Sequence, residues 1–166
     1  VQDPMSRNFE LIGYHDLDGK PGFKLALQVQ NDRWYLYLSH LWEPGWSIIE
    51  VTDPAHPKKL AWIPGPENTW TLQVQVADQK MLTSLERIVP GFGVTSDVPY
   101  EEGLYIWDVS NQPFTEVSVV PAHTKGIYSI TSNPTDGTMF ATASDDKTVA
   151  LWKWEPGPRS LEKIRV

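Results

Sequence analysis

The side chains best suited to chemistry in this sequence are four histidines, a scatter of carboxylates and an unusual number of tryptophans. His15 is followed by Asp16, His40 closes one apolar stretch, and Glu86 with Arg87 closes another. Neutral imidazole nitrogens and carboxylate oxygens together suit a divalent cation. His15, His40 and Glu86 are therefore a candidate metal-ligand set, with His123 as a further donor. Trp42, Trp46 and Trp70 are candidates for stacking on a ligand such as a sugar ring; the competing reading is that they pack between sheets, where aromatic rings bury large areas. Other groupings carry less. Glu101-Glu102 borders a loop and reads as solvated charge, and Asp145-Asp146 reads as a tight turn. Asp16, Asp18 and Gly19 begin like a calcium loop but lack its closing Glu. Gly-x-Ser-x-Gly, His-Glu-x-x-His and phosphate-cradling Gly-rich motifs are all missing. With no Cys in the sequence, thiolate ligands and disulfides are excluded. No catalytic residue is assigned.

The net charge of -7 and a longest basic run of only Lys58-Lys59 exclude nucleic-acid binding, which needs clustered Lys and Arg to neutralise phosphates. No apolar run approaches the ~20 residues of a membrane helix, and no basic leader followed by an apolar stretch is present. A soluble, cytoplasmic protein is the default expectation. Residues 1–8, with Val1-Gln2-Asp3-Pro4 ahead of Met5, read as a leader outside the fold.

The elements that must position these side chains show themselves as a repeat. Leu27-Gln28-Val29-Gln30 returns as Leu72-Gln73-Val74-Gln75, and Trp107 is followed 45 residues later by Trp152. Hydrophobic residues alternate with period two across each unit, a strand signal. Strands are predicted over residues 23–30, 33–40, 46–52 and 58–63, then 69–77, 81–87, 103–110 and 115–120, then 126–132, 138–143, 148–153 and 160–166. One extra strand is predicted at 9–14. Turns at Asn31-Asp32, at Ala77-Asp78-Gln79 and at Asp136-Gly137 follow the first strand of each unit. The additional residues of the middle unit fall between Ile88 and Tyr100, where Pro90-Gly91, Gly93 and Pro99 mark an inserted loop. Four strands every ~40–45 residues is the period of β-propeller blades, and a fixed-offset repeat favours that architecture over a β-sandwich.

The last third, Ala122 to Trp154, resembles a WD-repeat blade: Ala122-His123, Asn133-Pro134-Thr135-Asp136-Gly137, Ser144-Asp145-Asp146-Lys147-Thr148 and Leu151-Trp152-Lys153 stand in the family's order and spacing. Ala122 replaces its Gly and Lys153 the Asp of its signature dipeptide. The resemblance implies a buried hydrogen-bond chain through His123, Ser144, Asp146 and Trp152. The first two-thirds is similar instead to LVIVD-repeat propellers, through Ile48-Ile49-Glu50-Val51-Thr52-Asp53-Pro54-Ala55-His56-Pro57 and Leu104-Tyr105-Ile106-Trp107-Asp108-Val109-Ser110-Asn111. The style changes near residues 112–121, which reads as a recombined or engineered chain.

The expectation is thus an all-β protein: a single propeller domain over residues 9–166, LVIVD-like over 9–120 and WD-like over 121–166. It would hold about three four-stranded antiparallel blades plus one strand, fewer than the ~4–8 blades of a ring. A homo-oligomer, most simply a two-fold dimer, would complete the ring. In a propeller, the loops before first strands and after second strands share one rim. That rim would gather His15, His40, Glu86 and His123. The expected function is a non-catalytic scaffold binding a protein partner, without nucleic acid, membrane or cofactor. The alternatives are a metal-binding or hydrolase-like propeller using the rim His and Glu residues, and a carbohydrate-binding propeller.

Overall fold

A computed structural model describes residues 10–93, 98–111, 113–156 and 160–165. Thirteen strands run in chain order: β1 (Gly22–Gln30), β2 (Arg33–His40), β3 (Gly45–Glu50), β4 (Lys58–Pro64), β5 (Thr69–Trp70), β6 (Val74–Ala77), β7 (Lys80–Arg87), β8 (Gly103–Asp108), β9 (Thr115–Val120), β10 (Ile127–Ser132), β11 (Met139–Ser144), β12 (Val149–Glu155) and β13 (Ser160–Arg165). They form three antiparallel meanders. Blade 1 is β1-β2-β3-β4, blade 3 is β10-β11-β12-β13, and in blade 2 both β5 and β6 pair with β7, which continues to β8 and β9. The inner strands adjoin one another, β1 beside β6 and β6 beside β10. The architecture is therefore a stack of β-propeller blades, as the repeat predicts.

Local chemistry explains the hairpins. Asn31 and Asp32 both take positive φ between β1 and β2, as do Asp78 and Gln79 between β6 and β7. That is the twist a two-residue hairpin turn needs, and short polar side chains tolerate it. The third expected tight turn forms at Asp136-Gly137, where the Met139 N–H donates to the Asp136 carbonyl at 3.0 Å, within a six-residue connection between β10 and β11. Asn133 caps its start by accepting the Thr135 N–H, and Asp136 caps its end by accepting the Thr138 N–H and hydroxyl.

Alternation distributes the core. In β7, Met81 and Leu85 pack towards blade 1 with Ala26, Tyr37, Trp46 and Ile48. Leu82, one residue along, packs towards blade 3 with Ile127, Phe140, Ala150 and Trp152. Blade 2 is thus covered on both faces, while blades 1 and 3 each have one neighbour. Trp46 is fully buried, in contact with Trp107 at 5.4 Å between ring centroids. It is a wedge between blades and not a ligand platform.

The expected strand over 69–77 is broken. Ser39 of blade 1 donates its hydroxyl to the Leu72 carbonyl, and Thr71 Oγ1 bonds the His40 carbonyl and the Gly45 N–H. These groups leave the ladder to join two blades. The expected strand at 9–14 does not form over residues 10–14, and Phe9 and the leader 1–8 lie outside the described residues. Residues 13–18 instead run against the open face of blade 1. A Cβ at Gly13 would sit 1.7 Å from the Pro54 carbonyl oxygen, so only glycine passes there. Tyr14 and Leu17 line a groove of about 220 Å3 with Leu36, Leu38 and Ile49.

Candidate functional site

Two constructions decide what the loops can do. The first is a hydrogen-bond chain inside blade 3. His123 precedes β10, and its Nδ1 lies 3.0 Å from Asp146 Oδ2. Its Nε2 lies 2.7 Å from Thr142 Oγ1, which accepts the Trp152 indole N–H at 2.8 Å. If Nδ1 carries the proton for the carboxylate, Nε2 accepts the Thr142 hydroxyl, and every partner has a consistent direction. Asp146 is further held by the Thr148 hydroxyl and the N–H groups of Thr148 and Thr124. The Thr148 hydroxyl foremost keeps its carboxyl well below the usual carboxylate range.

Ser144, the hydroxyl implied by the WD resemblance, is not in this chain. Its Oγ donates to the Lys125 carbonyl and accepts the Asp146 N–H. Thr142 takes the place because it stands on β11 opposite Ala150, whose small side chain leaves room for the diagonal Trp152 ring. Period-two counting from buried Phe140 would have found it. Blade 2 repeats half of the construction: the Trp107 indole donates to Thr83 Oγ1 at 3.0 Å, on the face towards the preceding blade. Blades 2 and 3 therefore share the Trp–Thr step of this wiring.

The second construction is a pocket of about 360 Å3 on the rim where blade 2 meets blade 3. Glu86, at the end of β7, reaches into the junction and is only 6% exposed. Ser84 donates to its Oε1 at 3.1 Å, and the Ile127 backbone N–H also bonds the carboxylate. Gly126 is what admits it: a Cβ there would lie 2.7 Å from Glu86 Oε2. Burial pushes the Glu86 carboxyl up to about 7, against the pull of these two donors. The walls are aromatic and charged. Trp70, Tyr100 and Tyr128 line the pocket, and the Arg87 guanidinium lies 5.2 Å from the Tyr100 ring centroid. Lys125 at its edge pairs with Asp145 at 3.2 Å. Trp70 Nε1 is buried without a hydrogen-bond partner among the described residues. Beside the pocket, Phe92 stacks on Trp42 and meets Trp70 edge-on, at 6.1 and 5.7 Å.

The metal-ligand set does not assemble. Among the described residues, no three His, Cys, Asp or Glu side chains converge as a metal site. His15 is spent in a local turn, where Nδ1 accepts the Leu17 N–H. His40 is buried in blade 1, with Nε2 3.0 Å from Ser47 Oγ and its ring edge-on to Trp62. Desolvation lowers its pKa, keeping it neutral. Of the three tryptophans singled out from the sequence, Trp42 and Trp70 share the Phe92 cluster and Trp46 is core. Glu86 stands as an isolated buried carboxyl at the blade junction and not as a ligand among histidines.

The fold and its wiring define a class: stacked β-propeller blades with a rim pocket at a blade junction. Residues 114–153, from the outer strand β9 of blade 2 to β12 of blade 3, match the family described as "WD domain, G-beta repeat". The Denticleless protein homolog of Homo sapiens is 37% identical over 57 residues, covering 34% of this chain and 8% of that protein. The homolog of Gallus gallus is 35% identical over 60 residues, covering 36% and 8%. The chain thus spans a small part of the curated relatives it matches. The solved structure described as "Apo ctPRC2 in an autoinhibited state" superimposes on 89% of this chain and 31% of its own, with a TM-score of 0.59 and 13% identity, a likeness of fold.

Proposed function

We propose that this chain is a non-catalytic propeller scaffold that holds a protein partner on the rim between blades 2 and 3. The rim pocket carries this reading. It is large enough for a side chain, since small-ligand sites begin near ~300 Å3, and its blade 2 wall is anchored to a sheet covered on both faces. Exposed aromatic rings at its mouth are of the type that anchors protein interfaces: Tyr128 is 64% exposed. The WD-type repeat in blade 3 and the WD-repeat relatives support the same reading.

An array of short peptides probed with the whole chain tests it. Binding sequences are expected, and their affinity should fall about tenfold or more in Tyr128→Ala, the loss typical of an interface anchor. An array without binders, or binders indifferent to Tyr128, would remove the reading. Trp42 stacked on Phe92 offers an exposed aromatic surface for a sugar, so a glycan array is the parallel control; signal there alone would favour the carbohydrate reading.

We further propose that the isolated chain self-associates. Phe23, Leu25, Leu27 and Val29 form an exposed apolar row on blade 1, and Val149 and Leu151 stand exposed on blade 3. On blade 1 this is the side equivalent to the one on which blades 2 and 3 carry their Trp–Thr pairs against a preceding blade. Blades bury such faces against other blades, and a second copy supplies them.

A further inference from the structure

The Glu86 pocket has a charge asymmetry that its hydrogen bonds leave unanswered. A carboxylate this deeply buried is costly unless a cation faces it. Ser84 and the Ile127 N–H are both neutral, and among the described residues Glu86 makes no ion pair with a lysine, arginine or histidine. The charged groups facing it from the surrounding elements have other engagements. Arg87, on its own strand, lies over Tyr100; Lys125, ahead of β10, pairs with Asp145; and His123 pairs with Asp146. Glu102, ahead of β8, adds a second carboxylate to the lining. An anionic ligand would meet Glu86, Glu102 and Asp145. A cationic one would meet a buried counter-charge and the faces of aromatic rings, which attract cations.

We infer that the pocket receives the ammonium or guanidinium end of a basic side chain from the protein partner, with Glu86 as its counter-ion and the rings of Trp70, Tyr100 and Tyr128 as its walls. This rests on the scaffold reading and specifies what that scaffold selects. Gly126 is the enabling residue, because any side chain there would displace the carboxylate. Binding is linked to the proton. The cation favours ionised Glu86, so affinity rises with pH through the range in which this carboxyl ionises, about 7.

The probes are n-butylammonium and n-butylguanidinium, with uncharged n-pentanol as the control, titrated into the whole chain labelled with 15N. The indole N–H signal of Trp70, assigned by its loss in Trp70→Phe, reports binding. Both cations should shift it with millimolar affinity, weakening about tenfold or more in Glu86→Gln and strengthening several-fold from about pH 6 to about pH 8. Pentanol should leave it in place. If Glu86→Gln does not fold, the pH series on the unaltered chain decides alone. Equal response to pentanol and the cations, no response to either, or affinity flat with pH would overturn the inference. The peptide array separates this failure from that of the scaffold: binders sensitive to Tyr128→Ala but indifferent to Glu86→Gln and to basic residues leave the scaffold standing without its cation site.

Discussion

Burying a single carboxyl at position 86 makes the protein's stability depend on pH. The folded-state value is raised, to about 7 from an ordinary 4.5. The folded state therefore holds a proton that the unfolded chain releases, and stability declines as pH climbs between those values. Urea unfolding at about pH 5 and about pH 8 should show this decline in the parent and much less of it in Glu86→Gln, a difference on the order of 1–3 kcal/mol. Identical pH slopes would mean that the carboxyl is solvated. Asp146 works in the opposite sense. Its carboxyl is held low, so what it contributes is present above the ordinary carboxylate range and is lost on acidification. In the same chain, Thr142→Val removes the acceptor of the Trp152 indole and the donor to His123, and should cost ~1–3 kcal/mol in thermal or urea melts. No loss would place the indole N–H in contact with water. The position of Thr142 was open to the sequence through its alternation with Phe140. That of Ser144 came from motif spacing, which sets the turn but not the face of the strand. Glu86 stood out as a strand-end acid, yet its partners were hidden, because Gly126 and Ile127 come from another blade.

At the scale of elements, the strand pattern was legible nearly to the residue: β2 and β9 begin and end where alternation puts them. The misplacements have separate physical causes. The strand expected over 69–77 breaks because Ser39 and Thr71 satisfy backbone groups from across the blade junction, which no local propensity encodes. The alternation at 10–14 finds no partner strand among the described residues, and Leu11, Ile12 and Tyr14 stay exposed. The junction of blades 2 and 3 gives the sharpest stability test. Trp152 is almost wholly enclosed between Phe140, Ile130 and the blade 2 side chains Leu82 and Ile106. Trp152→Ala should destabilise by ~3–5 kcal/mol, as for other large aromatics removed from a core. A near-zero change would show that blades 2 and 3 do not meet through this ring. Trp107, half-buried and one junction earlier, should cost less for the same substitution.

For the whole molecule, the repeat announces the blades. Each blade hides its apolar faces against a neighbour, and blade 2 alone has two. Lines of exposed Phe, Leu and Val on the outer face of blade 1 exceed the scattered apolar residues normal for a surface, and residues 13–18 cover only part of that face. The proposed self-association closes these faces against a second copy. The solution mass of the isolated chain, measured by light scattering across a dilution series, tests this most directly. The expected result is a particle of at least twice 18.8 kDa that dissociates only on strong dilution. A stable particle of 18.8 kDa at every concentration would contradict it.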